Sequence, residues 1–276
     1  MHYGIVLTAG DIHQIGDMAA AAEAAAWDGV FTWDGVMIPG ADPIYDPWVT
    51  MAVIAMRTTR ARFGAIVSPL SRRRPWKVAR ETATLDHLSR GRLVVPVGLG
   101  ALDDLAFAGV GEATNRGERA ALLDETLEIL SLAWRGEPFS YEGSHYHLPE
   151  FAFRPPAVQQ PRIPIWVVTA WGRPKSVARA FRYDGIMPFI FGASGSYDPV
   201  TPEIVREIVA AAPTRKQGER SYDIVLEGTT PAVDRAAAHD RVAPLADAGA
   251  TWWIESPWEH ASVEGLRARI AAGPPR

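Results

Sequence analysis

The sequence predicts an α/β protein in which eight parallel strands and the helices between them close into one (β/α)8 barrel. Short apolar runs rich in β-branched residues alternate regularly with helical patterns, which is the element order of this fold. The length of 276 residues fits one such barrel. A doubly wound open sheet is the alternative, but a glycine fingerprint usually follows its first strand, and here that position reads Thr-Ala-Gly-Asp at 8–11. We therefore predict a single TIM-barrel domain over residues 1–276.

The predicted strands are short and continuously apolar, as expected where both faces of a parallel sheet are buried. Their number is the number that the barrel requires. They are residues 3–8, 29–33, 62–68, 92–98, 164–169, 184–190, 222–226 and 251–255.

The helices are predicted from apolar stripes and from start and stop signals. Pro47 and Pro75 suit the first helical turn, and Gly91 follows the end of the third helix. The clearest apolar stripe runs along 116–135. The predicted helices, or their starts, are 14–27, 47–59, 75–89, 116–135, Pro174, Thr201-Pro202, Thr230-Pro231 and 263–272.

One segment, residues 136–163, interrupts the alternation. It is rich in proline, glycine and aromatic residues, and Glu142-Gly143 has the pattern of a hairpin turn between two short strands. The segment is too short for a domain, so we predict an insertion before the fifth strand of the barrel.

The composition excludes several classes of protein. The chain has no cysteine, which rules out thiolate nucleophiles, cysteine-ligated zinc and iron–sulfur clusters. The formal net charge of −4 argues against a general nucleic-acid binder. No apolar run has the length of a transmembrane helix, and the first residues lack the pattern of a signal peptide. We expect a cytoplasmic enzyme without nucleic-acid or membrane partners.

Two loops after predicted strands have the parts of an anion site. Residues 169–176 offer a hydroxyl group, a glycine, backbone N–H groups at a helix start and two cations. Residues 227–231 have a related design, and either loop can equally be an ordinary strand-to-helix connection. Gly98 and Gly100 follow the fourth strand, where a missing side chain lets the backbone approach a ligand.

Carboxylates follow three of the predicted strands: Asp34, Glu227 and Glu255. Paired carboxylates at a barrel mouth are the catalytic groups of glycoside hydrolases, so this remains an alternative function. His145 and His147 share one strand face in the way metal ligands can, but a third ligand is not apparent. We favour a polar hairpin edge there and predict no metal site.

Three consecutive arginines, Arg72, Arg73 and Arg74, follow the third strand and precede a helix. Such a cluster could bind phosphate or nucleic acid. An ion-paired or solvated corner is the commoner arrangement, and we favour it here.

Several segments resemble one known family over nearly the whole chain. The most specific segment is 84–93, Thr-Leu-Asp-His-Leu-Ser-Arg-Gly-Arg-Leu. Similar stretches are 45–48, 58–60, 68–76, 79–81, 97–100, 119–125 and 160–166. This pattern resembles the bacterial-luciferase-like oxidoreductases, which depend on FMN or on the deazaflavin F420. The resemblance implies a (β/α)8 barrel with the cofactor ring over the carboxyl ends of the strands.

The resemblance also implies roles for individual residues. A non-prolyl cis peptide after the third strand is typical of the family, and Val67–Ser68 is the expected bond. The ring is expected near Ala9, Trp33, Asp34, Val67, Ser68, Gly98 and Gly100. The cofactor phosphate is expected at Thr169, Ala170, Trp171, Gly172 and Arg173, with Trp33 and Trp171 as walls of the pocket.

The chain departs from the family after the second strand. Members often place a histidine beside the acidic residue, whereas this chain reads Trp33-Asp34-Gly35. The missing imidazole leaves Asp34 as the one strong acid–base candidate in that corner, so we predict Asp34 to be catalytic.

The resemblance implies a monooxygenase that uses reduced FMN and O2 on a small organic substrate, with a separate flavin reductase as a partner. The alternative is an F420-dependent oxidoreductase that transfers a hydride. A non-catalytic flavin-binding barrel is a further alternative. Because family members commonly pair through barrel helices, we also expect a homodimer.

Overall fold

A computed structural model describes residues 1–101, 103–192, 197–214, 220–259 and 262–276. In chain order its strands are β1 (His2–Val6), β2 (Gly29–Thr32), β3 (Arg62–Ala65), β4 (Val95–Val97), β5 (Pro138–Glu142), β6 (His147–Ala152), β7 (Ile165–Ala170), β8 (Gly185–Phe191), β9 (Tyr197–Asp198), β10 (Asp223–Gly228) and β11 (Trp252–Glu255). Its α-helices are α1 (Ile12–Ala24), α2 (Pro47–Arg57), α3 (Pro75–Ser89), α4 (Arg116–Ala133), α5 (Pro174–Phe181), α6 (Pro202–Ala211), α7 (Arg235–Asp247) and α8 (Val263–Ala272).

Eight of the strands form one parallel sheet in the order β3-β2-β1-β11-β10-β8-β7-β4. Two isolated parallel bridges, Phe63 to Leu93 and Ser68 to Val97, join the two ends of this order. The sheet therefore closes on itself, and helices cover its outer surface. This confirms the predicted (β/α)8 barrel and excludes the open sheet.

The start of one helix was predicted wrongly. We expected a helix from Thr230-Pro231, but α7 begins at Arg235, where the Asp234 carboxylate accepts a hydrogen bond from the N–H of Ala237. Thr230 instead donates its N–H and hydroxyl group to the buried Glu255. A tertiary partner therefore overrides the local signal of Thr230-Pro231.

The barrel interior is filled by side chains from six of the eight strands and from Ile66 and Val94, which lie next to β3 and β4. Phe31, Trp166 and Trp252 are the largest, with ring centroids 5.3 to 6.3 Å apart. A Cβ atom on the inward position Gly4 would lie 2.6 Å from Phe31 Cε2, so the glycine makes room for that ring. Because the interior is packed, a ligand can enter only at an end of the barrel. The interior residues are Val6, Phe31, Ile66, Val94, Trp166, Met187, Val225, Trp252 and Ile254.

The insertion is an antiparallel hairpin of β5 and β6, as the sequence predicts. Tyr146 and Leu148 pack against Ile129 of α4, while the Glu125 carboxylate of the same helix accepts N–H groups from the turn. His145 and His147 are exposed on this hairpin. Within the described residues, no group of three histidine or acidic side chains is placed to hold a metal ion.

A carboxylate at the end of α1 holds the loop before β3. Glu23 accepts hydrogen bonds from the N–H groups of Thr59, Arg60 and Ala61 and from the Thr59 hydroxyl. Partial burial opposes ionisation, but these hydrogen bonds outweigh it and lower the pKa of Glu23 to about 2. A lowered pKa means that Glu23 stabilises the fold above its ordinary pKa and loses this effect as the pH falls towards 2.

We therefore expect Glu23→Gln to lower the free energy of unfolding by about 1 kcal/mol at neutral pH, a modest value because solvent screens the group. The wild type should lose stability as the pH falls from the ordinary pKa of a glutamate towards 2. The variant should lose less stability over the same range. Urea unfolding across this range measures both effects, with the exposed Glu137→Gln as the control. Equal pH dependence in both variants would contradict the assignment.

Candidate active site

The carboxyl end of the barrel has an apolar floor made of three neighbouring strand ends. Val67 and Val168 pack on the interior core. A Cβ atom on Gly98 would lie 3.2 Å from Val67 Cγ2 and 3.3 Å from Val168 Cβ. The two valine side chains therefore meet over the buried Gly98 and form an apolar surface on which a planar group can lie. The sequence analysis predicted Val67 and Gly98 but missed Val168.

The non-prolyl cis peptide is Ile66–Val67, one bond before the predicted Val67–Ser68. The N–H of Ile66 donates to Thr32 O at 2.8 Å, whereas that of Ser68 donates to Pro96 O at 2.9 Å. The chain thus hydrogen-bonds to β2 before Val67 and to β4 after it. The cis bond lies between these two hydrogen bonds. The resemblance located the segment correctly, but neither bond involves a proline that would have distinguished the two.

Ala9 and Trp33, both predicted to contact the ring, line one small cavity beyond the ends of β1 and β2. The Trp33 ring lies directly over Gly35, where a Cβ atom would come within 2.8 Å of Trp33 Cε3 and 2.7 Å of Ile38 Cδ1. The indole therefore fills the space that a side chain at position 35 would need. A side chain at position 35, such as the histidine expected from the resemblance, would therefore require the indole to move.

Asp34 is fully engaged by arginines. Its side chain is 0% exposed, and its Oδ1 accepts from Arg73 Nη2 at 2.7 Å and from Arg72 Nη2 at 3.0 Å. Its Oδ2 accepts from Arg73 Nε at 3.1 Å. Asp34 therefore holds the loop after β3 in place through an ion pair, and Arg72 and Arg73 form the ion-paired corner that we favoured.

A second carboxylate, Asp104, completes this network and was missed by the sequence analysis. It accepts from Arg72 Nη1 at 2.6 Å and from the N–H groups of Val36 and Met37. Burial would raise the pKa of Asp104, but these hydrogen bonds outweigh burial and lower it. The network of Asp34, Arg72, Arg73 and Asp104 thus ties together the loops that follow β2, β3 and β4.

Glu227 points towards the barrel axis at its carboxyl end. Side chains alternate along a strand, and Val225 of β10 belongs to the interior core, so Glu227 lies on the same inner side. Trp258 Nε1 donates to Glu227 Oε1 at 2.5 Å. The residue as a whole is exposed, but the many protein atoms around its carboxyl group desolvate it and raise the pKa of Glu227 despite hydrogen bonds from Trp258 and Ser256.

The three candidate carboxylates do not form a facing pair. Glu255 is buried against the helices, where it accepts hydrogen bonds from Thr230 and pairs with Arg269 at 3.4 Å. Asp34 is held by its two arginines. Glu227 alone of the three faces the barrel axis, so the arrangement that a glycoside hydrolase requires is absent from these residues.

The predicted phosphate loop connects β7 to α5. Thr169 is buried and its hydroxyl donates to Val167 O at 2.9 Å, while the N–H groups of Trp171 and Arg173 donate to Phe189 O and Ala170 O. Gly172 has a φ of +82° and open space around it. Thr169 therefore has a structural partner, while Gly172 and the exposed Arg173 side chain remain at the surface of the loop.

Comparison with known proteins gives the family. The model of the family described as "Luciferase-like monooxygenase" matches residues 2–273. The uncharacterized protein Rv0953c of Mycobacterium tuberculosis is 36% identical over 127 residues, which are 45% of this chain and 43% of that protein. The matched part is thus less than half the length of this relative.

Two solved structures share the fold. The coenzyme F420-dependent tetrahydromethanopterin reductase from Methanopyrus kandleri is 15% identical, with a TM-score of 0.74 over 99% of this chain and 98% of that one. The monooxygenase RslO1 from Streptomyces bottropensis is 24% identical, with a TM-score of 0.67 over 99% of this chain and 91% of that one.

The chain belongs to the luciferase-like monooxygenase family, which confirms the resemblance found in the sequence. Across the part of the chain that the structure describes, none of the helices has both the length and the apolarity needed to span a lipid bilayer.

Proposed function

We propose that the protein is an oxidoreductase in which the ring of F420 or FMN lies on the floor of Val67, Gly98 and Val168. The observation that carries the proposal is the position of Glu227, a carboxyl group with a raised pKa that faces the same end of the barrel. In this role Glu227 gives a proton to the substrate or takes one from it. Asp34 is assigned a positioning role instead, because both of its oxygens accept hydrogen bonds from Arg72 and Arg73 of the neighbouring loop.

The residues present suit such a cofactor. An apolar floor can hold a flat ring, and the missing side chain at Gly98 lets Val67 and Val168 pack close together to form that floor. Gly172, Arg173 and Lys175 offer an exposed N–H group and two cations to a phosphate. When bound, F420 exchanges a hydride with the substrate, whereas reduced FMN activates O2.

We favour F420-dependent hydride transfer, because a hydride usually moves together with a proton and Glu227 can hold that proton. The tetrahydromethanopterin reductase, whose name describes it as F420 dependent, shares the fold over nearly the whole of both chains and supports this choice. FMN-dependent monooxygenation is the second candidate. The family description and the 24% identity to the monooxygenase RslO1 favour it.

Spectroscopic titration separates the two candidates. We expect the absorbance and fluorescence of added F420 to change saturably in the presence of the protein, with weaker changes for FMN. Saturable binding of FMN alone would favour the monooxygenase. Binding of neither cofactor would overturn the proposal.

We further expect the loop of Gly172 and Arg173 to hold the cofactor phosphate. Arg173→Ala removes one charge-assisted hydrogen bond, typically worth about 1.5–3 kcal/mol, so the cofactor should bind roughly ten- to a hundredfold more weakly. Thr229→Ala is the matched control in the competing loop. That loop carries Glu227, and the helix after it begins only at Arg235. If only Thr229→Ala lowers the cofactor affinity, the phosphate binds at the loop of Thr229 instead.

A further inference from the structure

A second cavity lies at the opposite end of the barrel. It has a volume of about 380 Å³, within the range of small-molecule sites. His2 of β1, Arg62 of β3 and Trp252 of β11 line it, and each stands at the amino-terminal end of its strand. Arg60 and Arg276 complete its charged lining together with Asp28.

The charges around this cavity do not balance. Asp28 is already occupied, because its Oδ2 accepts from Arg276 Nη2 at 2.8 Å and from the N–H of Tyr3 at 2.9 Å. Among the described residues, no carboxylate oxygen lies within 4.0 Å of the guanidinium nitrogens of Arg60 or Arg62. Arg60 Nη2 donates only to the backbone oxygen of Glu23, at 3.2 Å. Neither guanidinium group is thus in a direct ion pair with a described carboxylate, although the Glu23 carboxylate accepts the backbone N–H of Arg60 nearby.

A further arginine stands close to Arg62 below the barrel. Arg220 donates to the neutral Gln159 Oε1 at 3.2 Å. Burial, followed by the like charge of Arg62, lowers the pKa of the Arg220 guanidinium. The carboxyl groups of Asp184, Asp223 and Asp86 oppose this effect on Arg220, and burial raises the pKa of Asp223. Arg62 therefore has a second cation close by, and among the described residues no carboxylate forms a direct ion pair with Arg62.

One wall of the cavity is aromatic. The His2 ring stacks on Trp252 with centroids 4.8 Å apart and planes 30° apart. Trp252 is 2% exposed and belongs to the interior core. A ligand beside this wall would be shielded from water on that side, which strengthens its interaction with the arginines.

We propose that this cavity binds a small polyvalent oxyanion, with phosphate or carboxylate oxygens, through the guanidinium groups of Arg60 and Arg62. Guanidinium groups bind such oxygens in bidentate fashion. The site lies at the other end of the barrel from the floor of Val67, Gly98 and Val168. Its ligand is therefore distinct from the cofactor, and the proposal does not depend on the proposed function.

Isothermal titration with inorganic pyrophosphate, and separately with citrate, tests the site at an ionic strength held constant with sodium chloride. We expect saturable binding of at least one anion to the wild type. The anion that binds more tightly identifies phosphate or carboxylate chemistry. Arg62→Gln and Arg60→Gln should each weaken binding about ten- to a hundredfold.

Arg241→Gln, which removes an exposed arginine of α7, is the matched control and should bind as the wild type does. Thermal unfolding without anion checks that each variant is folded, and Arg62→Gln should retain stability because it removes an unpaired cation. Absence of saturable binding to the wild type, or unchanged affinity in Arg62→Gln, would overturn the proposal. Cofactor binding should be equal in all four proteins, so failure here is separable from failure of the proposed function.

Discussion

Replacing Glu227 with glutamine is expected to lower the turnover number about 10²- to 10⁴-fold, the usual contribution of a positioned proton-transfer group. The amide has nearly the same shape and can still accept the hydrogen bond from Trp258, but it cannot exchange a proton. Cofactor affinity should therefore change little. Steady-state kinetics together with the spectroscopic titration separates the loss of turnover from a loss of binding.

The pH dependence gives a second readout for Glu227. Because its pKa is raised, the protonated form persists above the ordinary range of a glutamate. Activity in the direction that needs a proton donor should fall as the pH rises through the raised pKa, and Glu227→Gln should remove this limb. In the reverse reaction, where Glu227 accepts the proton, activity should rise with pH through the same raised pKa. The free energy of unfolding of the wild type should also fall, relative to the variant, as Glu227 ionises.

Glu259→Gln is the control, because it removes an exposed carboxylate close to Trp258 in the sequence. It should leave the turnover number and the pH profile unchanged. A wild-type pH profile in Glu227→Gln would show that another group moves the proton, whatever the change in rate.

Asp34→Asn is expected to have the largest effect on stability. The substitution leaves the guanidinium groups of Arg72 and Arg73 without their full counter-charge, and their side chains are only 4% and 19% exposed. Breaking a buried ion pair by removing one partner costs about 3–5 kcal/mol. Urea unfolding followed by circular dichroism should show a loss of this size.

The matched control is Asp17→Asn, which removes the partner of Arg57 in an exposed ion pair whose side chains are 62% and 50% exposed. Exposed pairs contribute about 0–1 kcal/mol, so this variant should unfold almost as the wild type does. Similar small losses in both variants would show that water reaches Arg72 and Arg73 and that the buried network contributes little.

The barrel could be predicted from the sequence because its signals are local and repeated. Buried strands are short apolar runs, and Pro47 and Pro75 do begin α2 and α3. Thr230-Pro231 carries an equally good local signal, but Glu255 captures Thr230 from a distant strand. A local pattern contains no information about such a partner, so the start of α7 could not be predicted.

The candidate site was predictable in its position but not in its chemistry. Asp34 and Glu227 look alike in the sequence, as acidic residues at the ends of predicted strands. Their environments differ because Arg72 and Arg73 fold back onto Asp34, whereas Glu227 keeps the inward direction of Val225. The alternation along β10 would have identified Glu227, had the inward face of that strand been known.

The packing of Trp33 on Gly35 links the two positions in evolution. A side chain at position 35 and the indole in its present rotamer would occupy the same volume, so the indole would have to move or be replaced before a histidine could stand there. A histidine added alone would meet the ring, whereas loss of the indole alone would leave only a void. We therefore expect residues 33 and 35 to covary among homologues.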